Sequence, residues 1–137
     1  MKPALIDTDI LSLFFRNDLP VIGHFREYLQ EFGRIEISIL TFYEILSGLK
    51  HRDALKQLDM FCEFVKNNTV LPVTEKSVEI SSDIYAALRK KGNQLDDIDI
   101  LIAGVALAHD LVLVTHNVHH FNRIEDLEVI DWSTPLT

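Results

Sequence analysis

Acidic side chains occur at several points of this sequence where the neighbouring residues are apolar. Asp7 and Asp9 follow the apolar run 4–6, Glu44 lies within "ILTFYEIL", and Asp99 precedes "ILIAGVALA". Carboxylates that meet in a fold repel one another unless they are protonated or bridged by cations. Oxygen ligands without cysteine favour Mg²⁺ or Mn²⁺, and such ions activate water and stabilise the leaving oxygen of a phosphodiester. The residue types therefore predict metal-assisted hydrolysis.

Each acid also has a structural alternative. Asp7 and Asp9 suit the N-terminus of a following helix, because acids there satisfy free N–H groups. We interpret Asp9 in this way and expect Asp9→Asn to be mild, whereas we predict that Asp7 is a metal ligand. Thr41-x-x-Glu44 has the form of a capping box. Asp96 and Asp97 are predicted helix caps.

Short apolar runs alternate with amphipathic segments along the chain, which indicates an α/β fold with a mostly parallel sheet of about five short strands flanked by helices. We expect one domain over residues 1–137. The predicted strands are 3–6, 35–39, 69–73, 111–115 and 127–132, and the predicted helices are 8–17, 20–32, a helix opened by Thr41, 53–66, 75–90 and 97–109.

The carboxyl ends of the strands are the expected place for the chemistry, because parallel sheets bind ligands there. Asp7 ends the first predicted strand, while Thr115 and Asn117 follow the run "LVLV". If these two strands are neighbours, the three residues meet at one edge of the sheet. Asn117 also suits a simple turn.

Composition excludes several classes of protein. The formal net charge of −8 argues against a protein that coats nucleic acid through phosphate contacts. No signal peptide or membrane span is predicted, and the single cysteine, Cys62, is expected to be a core residue in a reducing cytoplasm. The spacing of His116, His119 and His120 could suggest a zinc site, but no cysteine or clear fourth ligand accompanies these histidines. No role is assigned to them.

The sequence resembles the PIN-domain ribonucleases, and among them the VapC-type toxins of bacterial toxin–antitoxin pairs. The resemblance covers nearly the whole chain through "LIDTDIL", "ISILTFYEILSGL", "DIDILIAGVALAHDLVLVTHNVHHFNRI" and "LEVIDW". It implies a three-layer PIN-like domain in which Asp7, Glu44 and Asp99 hold Mg²⁺ or Mn²⁺ and RNA is cleaved. Asn117 and Thr115 fall on a fourth, more variable motif, where many relatives carry Asp, and Asp97 is a supporting residue.

The resemblance also implies partners. A cognate VapB-like antitoxin inserts a tail segment that often places a basic side chain among the acids, and the toxin forms a homodimer. The ending "T-x-N…F…RI…L…DW" resembles the subgroup that cuts initiator tRNA. Phe14 and Phe15 are predicted not to share one core, so that one of them lines the antitoxin groove or both lie at a core edge. Cations expected to hold RNA are Arg16, Lys50, Arg52 and Arg123.

Other functions remain as alternatives. "DTDIL" matches the first three positions of a haloacid-dehalogenase-type phosphatase motif, with Asp7 as nucleophile, but Leu11 breaks the motif. That chemistry also needs a later lysine and acidic pair, and "LVLVTHNVHH" carries no acid. A non-catalytic PIN-like binding module would not need Asp7, Glu44 and Asp99 together. A structure-specific DNA nuclease would usually carry more acids and extra helices.

Overall fold

A computed structural model describes residues 1–136, so the predicted domain 1–137 includes one residue, Thr137, outside the described range. The centre of the fold is a five-stranded sheet in the order β3-β2-β1-β4-β5, with every neighbouring pair parallel. The prediction of a mostly parallel sheet of about five strands is confirmed. The strands are β1 (Ala4–Ile6), β2 (Glu36–Ser38), β3 (Thr69–Leu71), β4 (Val112–Val114) and β5 (Val129–Ile130).

Helices cover both faces of this sheet. They are α1 (Thr8–Phe15), α2 (Leu19–Phe32), α3 (Ile39–His51), α4 (Leu55–Lys66), α5 (Glu75–Lys90), α6 (Asp97–Ala108) and the single turn α7 (Val118–Phe121). Within residues 1–136, no helix is both long and apolar enough to cross a membrane.

Alternation along the strands divides the core into two layers. Ala4 and Ile6 of β1 pack in one apolar cluster with α1 and α2, while Leu5 packs in another with α5 and α6. Successive side chains of a strand point to opposite faces, so a fully apolar strand must be covered on both sides. The three-layer architecture follows directly from this pattern.

The switch in strand order places the candidate site. From β1 the chain adds β2 and then β3 on one side, and afterwards returns to the other side of β1 to add β4. Ligands of open α/β sheets bind at such a switch point, beyond the carboxyl ends of the strands. Ile6 pairs with Val114 at the ends of β1 and β4, so Asp7 and Thr115 emerge side by side.

Three sequence-based predictions about packing are wrong. The helix predicted to open at Thr41 begins at Ile39, because the Ser38 side chain is the cap that accepts the Thr41 N–H. Cys62 is exposed and not a core residue, since it lies on the solvent side of α4.

Phe14 and Phe15 both pack, partly buried, against the same apolar cluster. The expectation that they do not share one core is therefore wrong, whereas the alternative of two aromatic residues at a core edge is confirmed. The Phe14 ring stacks on Phe25 with centroids 4.1 Å apart, and Phe15 meets Phe61 of α4 edge-on at 5.9 Å. Both contacts are possible because α1 lies between α2 and α4, so that neighbouring positions on α1 reach different parts of one core.

Candidate active site

Asp7 lies at the junction of β1 and α1, where its carboxylate is almost fully buried at 4% exposure. Its backbone N–H donates to the Val114 carbonyl over 2.8 Å and so continues the pairing of β1 with β4. Oδ1 accepts the Thr8 N–H over 2.8 Å, and Oδ2 accepts the Thr115 hydroxyl over 2.8 Å. Asp7 therefore occupies the N-cap position of α1 and the switch point of the sheet at once.

The environment of Asp7 disfavours its negative charge. Burial raises the pKa of the Asp7 carboxyl from 3.8 to about 7, and the negative charges of Asp9 and Asp99 act in the same direction. The hydrogen bonds from Thr115 and Thr8 oppose this rise. Strongly shifted carboxyls in a cluster are typical of functional sites, because a cation there relieves the repulsion.

Asp9 contributes more to the site than its helix-start position predicted. It does lie in the first turn of α1, as expected. Its Oδ2 also accepts the backbone N–H of His116 over 3.0 Å and so holds the segment that follows β4. Burial raises the pKa of Asp9, and the His116 N–H opposes that rise. No sequence pattern indicates this contact, which joins residues 107 positions apart.

Glu44 is brought to the site by α3 and held there by α1. Its Oε1 accepts the Thr8 hydroxyl over 2.5 Å, and the same Thr8 oxygen lies 3.0 Å from the hydroxyl of buried Thr41. The capping box proposed for Thr41 and Glu44 does not form, because Ser38 caps α3 and Glu44 turns toward α1. Thr8 is thus a site residue that the sequence analysis missed.

Asp99 lies in the first turn of α6, half-buried and near the other acids. Burial raises the pKa of its carboxyl, with Asp96 and Glu44 adding to the rise and His120 opposing it. Asp97, predicted as a supporting residue or a cap, is exposed in a shallow groove between α5 and α6. Asp96 occupies the N-cap position of α6 without a side-chain capping bond.

The segment after β4 contains the predicted fourth motif. Buried Thr115 contacts Asp7 as described, and its hydroxyl oxygen also accepts the Asn117 N–H over 3.1 Å. Asn117 is exposed and occupies the N-cap position of α7, where its side chain makes no capping bond. The predicted meeting of Asp7 and Thr115 at one sheet edge is confirmed, and Asn117 stands at the rim of the same edge.

The donor set fits a hard cation. All the side chains that converge on Asp7 offer oxygen, which suits Mg²⁺ or Mn²⁺. Within residues 1–136, no three His, Cys, Asp or Glu side chains are already close enough to form a complete metal site. Mg²⁺ is nevertheless commonly held by one or two carboxylates and several waters. A cation bound beside Asp7 would offset the cost of burying its charge.

A cavity of about 350 Å³ opens beside the acids, between α1, α3 and α4. Thr8 and Glu44 line one end of it, and Arg16 and Arg52 also line its wall. Arg123, another predicted RNA contact, instead donates to the Gln94 carbonyl over 3.2 Å and lines a separate groove beside α5. The structure therefore places two of the four predicted cations next to the site.

Fold and site together define an α/β protein with an acidic, hydrolase-type site at the carboxyl edge of its sheet. Residues 4–127 match the PIN domain family, and the chain belongs to this family.

Three comparisons refine this assignment. The chain is 30% identical over 122 residues to Ribonuclease VapC1 of Methanocaldococcus jannaschii, which covers 89% of this chain and 81% of that protein. It is 29% identical to the tRNA(fMet)-specific endonuclease VapC of Shigella flexneri, across 97% of this chain and 100% of that protein. The DNA-bound VapBC structure from Salmonella typhimurium superposes with a TM-score of 0.84 at 28% identity and covers 96% and 99% of the two chains.

Proposed function

We propose that this protein is a metal-dependent endoribonuclease, the VapC-type toxin of a toxin–antitoxin pair. The observation that carries the proposal is the buried Asp7 carboxyl at the sheet switch point, with its pKa raised by burial and by neighbouring carboxylates. The similarity to proteins named as VapC ribonucleases supports the choice of RNA as the substrate.

Asp7, Asp99 and Glu44 are the residues that would hold Mg²⁺ or Mn²⁺, and Asn117 would add an amide oxygen at the rim. When bound, the ion stabilises developing negative charge on the phosphodiester and makes a bound water more acidic. Thr8 orients Glu44 through its hydroxyl, and Thr115 orients Asp7 in the same way. These hydrogen bonds fix the carboxylates before substrate arrives, which reduces the cost of ordering them.

The proposed substrate is RNA, with initiator tRNA as the first candidate. The relative from Shigella flexneri is named for tRNA(fMet), and the C-terminal pattern of this chain is similar to that subgroup. Cleavage of such an RNA would stop translation, so the proposed place of action is the cytoplasm. A panel of purified tRNAs, with the cut positions mapped by sequencing, tests this choice.

The proposed protein partner is a VapB-like antitoxin. Solved relatives such as the Salmonella typhimurium VapBC structure contain toxin and antitoxin together. The uncompensated acids at the site and the net charge of −8 favour a basic segment as inhibitor. A homodimer is also expected from the family, and light scattering of the purified protein measures that state directly.

The decisive experiment compares RNA cleavage and growth arrest for the wild type, Asp7→Asn and Asp99→Asn, with Mg²⁺, with Mn²⁺ and with EDTA. We expect each variant to lose at least about a hundredfold in kcat/KM, because a ligand that neutralises charge in the transition state is lost. Asp59→Asn, an exposed acid on α4, is the matched control and should cut like the wild type. Wild-type activity in both site variants would refute the mechanism.

Two alternatives give different outcomes in related assays. A phosphatase would form a covalent phosphate adduct on Asp7, detectable by mass spectrometry after acid quenching, and would not cut RNA. A binding module would hold RNA with equal affinity in the wild type and Asp99→Asn and cleave it in neither. Metal-dependent cleavage that requires both acids excludes both alternatives.

A further inference from the structure

His116 lies between β4 and α7, one residue beyond the Thr115 hydroxyl that contacts Asp7. Its backbone N–H donates to Asp9 Oδ2 over 3.0 Å. The main chain at His116 is therefore tied to the acidic site, and its side chain starts from a fixed point at the rim of that site.

The C-terminal segment after β5 holds the imidazole ring from another side. Nδ1 lies 3.0 Å from Asp131 Oδ2 and 3.0 Å from Ser133 Oγ. Although burial works against it, hydrogen bonds from Ser133 and His116 hold the pKa of Asp131 below its usual range. An ionised carboxylate only accepts hydrogen bonds, so we assign the ring proton to Nδ1.

The other ring nitrogen, Nε2, is available to form a hydrogen bond with a bound ligand. The contacts of the ring within residues 1–136 are made through Nδ1, and the side chain is 62% exposed while Asp131 is only 20% exposed. With the proton on Nδ1, Nε2 offers a lone pair that accepts a hydrogen bond. Ordering an exposed side chain when a ligand binds costs conformational entropy. The contacts with Asp131 and Ser133 already fix this ring, so it can contact a ligand without most of that cost.

We propose that His116 Nε2 accepts a hydrogen bond from the 2′-hydroxyl of a nucleotide next to the cleaved phosphodiester, and thereby favours RNA over DNA. This inference rests on the proposed ribonuclease function. The 2′-hydroxyl is the group by which a protein distinguishes the two nucleic acids, and it can donate to such an acceptor. His116 is then a specificity residue, while Asp131 and Ser133 are positioning residues.

The test is a 2′-deoxy scan of an RNA oligonucleotide that the wild type cleaves, with kcat/KM measured for each substrate. In the wild type, we expect one deoxy position near the cut to lower kcat/KM about threefold to tenfold, the worth of one hydrogen bond. In His116→Asn, the amide N–H can replace Nδ1–H at Asp131, but nothing replaces Nε2. This variant should lose the sensitivity at that position, and His116→Gln should restore part of it.

Several outcomes would overturn the proposal. It is wrong if the wild type cleaves every 2′-deoxy substrate with the same kcat/KM, or if His116→Asn keeps the wild-type sensitivity at every deoxy position. It is also wrong if the kcat/KM values of wild type and His116→Asn differ only when the bases of the substrate are changed. Equal thermal unfolding temperatures for wild type and His116→Asn exclude a folding defect as the cause. Cleavage of the all-RNA oligonucleotide by wild type and not by Asp7→Asn upholds the ribonuclease function whatever the scan returns, whereas no cleavage of any RNA refutes both.

Discussion

Asp7 is 4% exposed, and both of its oxygens accept hydrogen bonds while Asp9 and Asp99 act on its charge from nearby. With its pKa raised to about 7, its protonated and ionised forms are both populated near neutral pH when no cation is present. At the scale of single residues, the ionised Asp7 carboxylate therefore lowers the stability of the folded protein, and a bound cation would offset that cost.

The first prediction concerns this cost. The pKa of Asp7 is 3.8 unfolded and about 7 folded, so the native state binds more protons and the free energy of unfolding falls as pH rises through this range. Between about pH 5 and about pH 8 the loss is about 2–3 kcal/mol for this group. Urea unfolding in EDTA should show this pH-dependent loss of stability in the wild type and a much smaller loss in Asp7→Asn. Parallel pH profiles for the two proteins would contradict the prediction.

A second prediction separates the charge of Asp9 from its hydrogen bond. Asp9→Asn keeps an oxygen to accept the His116 N–H and removes a negative charge beside Asp7, so we expect kcat/KM within about threefold of wild type. Asp9→Ala removes the acceptor and releases the segment after β4, which should cost about tenfold or more. Steady-state cleavage assays measure both. If Asn is as damaging as Ala, the charge of Asp9 matters rather than its hydrogen bond.

Residue positions that follow from strand geometry could be predicted from sequence, whereas contacts between side chains of different helices could not. Asp7 and Thr115 each follow an apolar run, so the pattern places both at the carboxyl edge of the sheet. They meet there because β1 and β4 are neighbouring strands, which the structure shows. The hydrogen bond from Thr8 to Glu44 depends on how α1 crosses α3, because the two residues are 36 positions apart in the chain. The contact between His116 and Asp131 likewise depends on the path of the chain after β5.

At the scale of elements, α5 and α6 pack closely enough to exclude a methyl group. Ser77 and Ser81 of α5 are buried against Gly104 of α6, and the Ser81 hydroxyl donates to the Ile100 carbonyl over 3.0 Å. A Cβ on Gly104 would overlap the Ser81 side chain and lie 2.6 Å from the Ser77 carbonyl oxygen. This contact supports the helix that presents Asp99.

We therefore predict that Gly104→Ala destabilises the protein by about 1–3 kcal/mol, because the overlap forces α5 and α6 apart. The matched control is Gly48→Ala on α3, where the new Cβ would meet only the Arg52 side chain at 3.6 Å. The control should be neutral or slightly stabilising, since Ala favours helix over Gly. Urea unfolding of both variants measures the difference, and equal stabilities would show that α5 and α6 adjust without cost.

The apolar periodicity of the sequence is sufficient to locate the strands but not to place the start of every helix. The apolar pattern located all five strands, but it placed the start of α3 at Thr41 because the Thr-x-x-Glu pattern resembles a cap. Ser38 caps the helix instead, since it ends β2 and its side chain already faces the free N–H groups of α3. A strand that runs directly into a helix leaves no loop residues to mark the boundary.

For the whole molecule, the net charge of −8 sets how RNA can be held. The acids repel phosphate, so long-range attraction must come from bound cations and from the few basic side chains near the site. Arg16 and Arg52 line the cavity that opens on Thr8 and Glu44, whereas Arg123 lies in a different groove. RNA binding by this protein should therefore depend only weakly on salt.

The last prediction makes that weak dependence quantitative. Each phosphate neutralised on single-stranded nucleic acid contributes about −0.7 to the slope of log K against log salt concentration. With two arginines in contact, the slope of log kcat/KM at constant Mg²⁺ should be about −1.4, and Arg16→Gln or Arg52→Gln should each reduce its magnitude by about 0.7. Arg123→Gln should leave the slope unchanged, because its guanidinium is engaged with Gln94 away from the cavity. A steep slope that survives both arginine substitutions would place the RNA on another surface of the molecule.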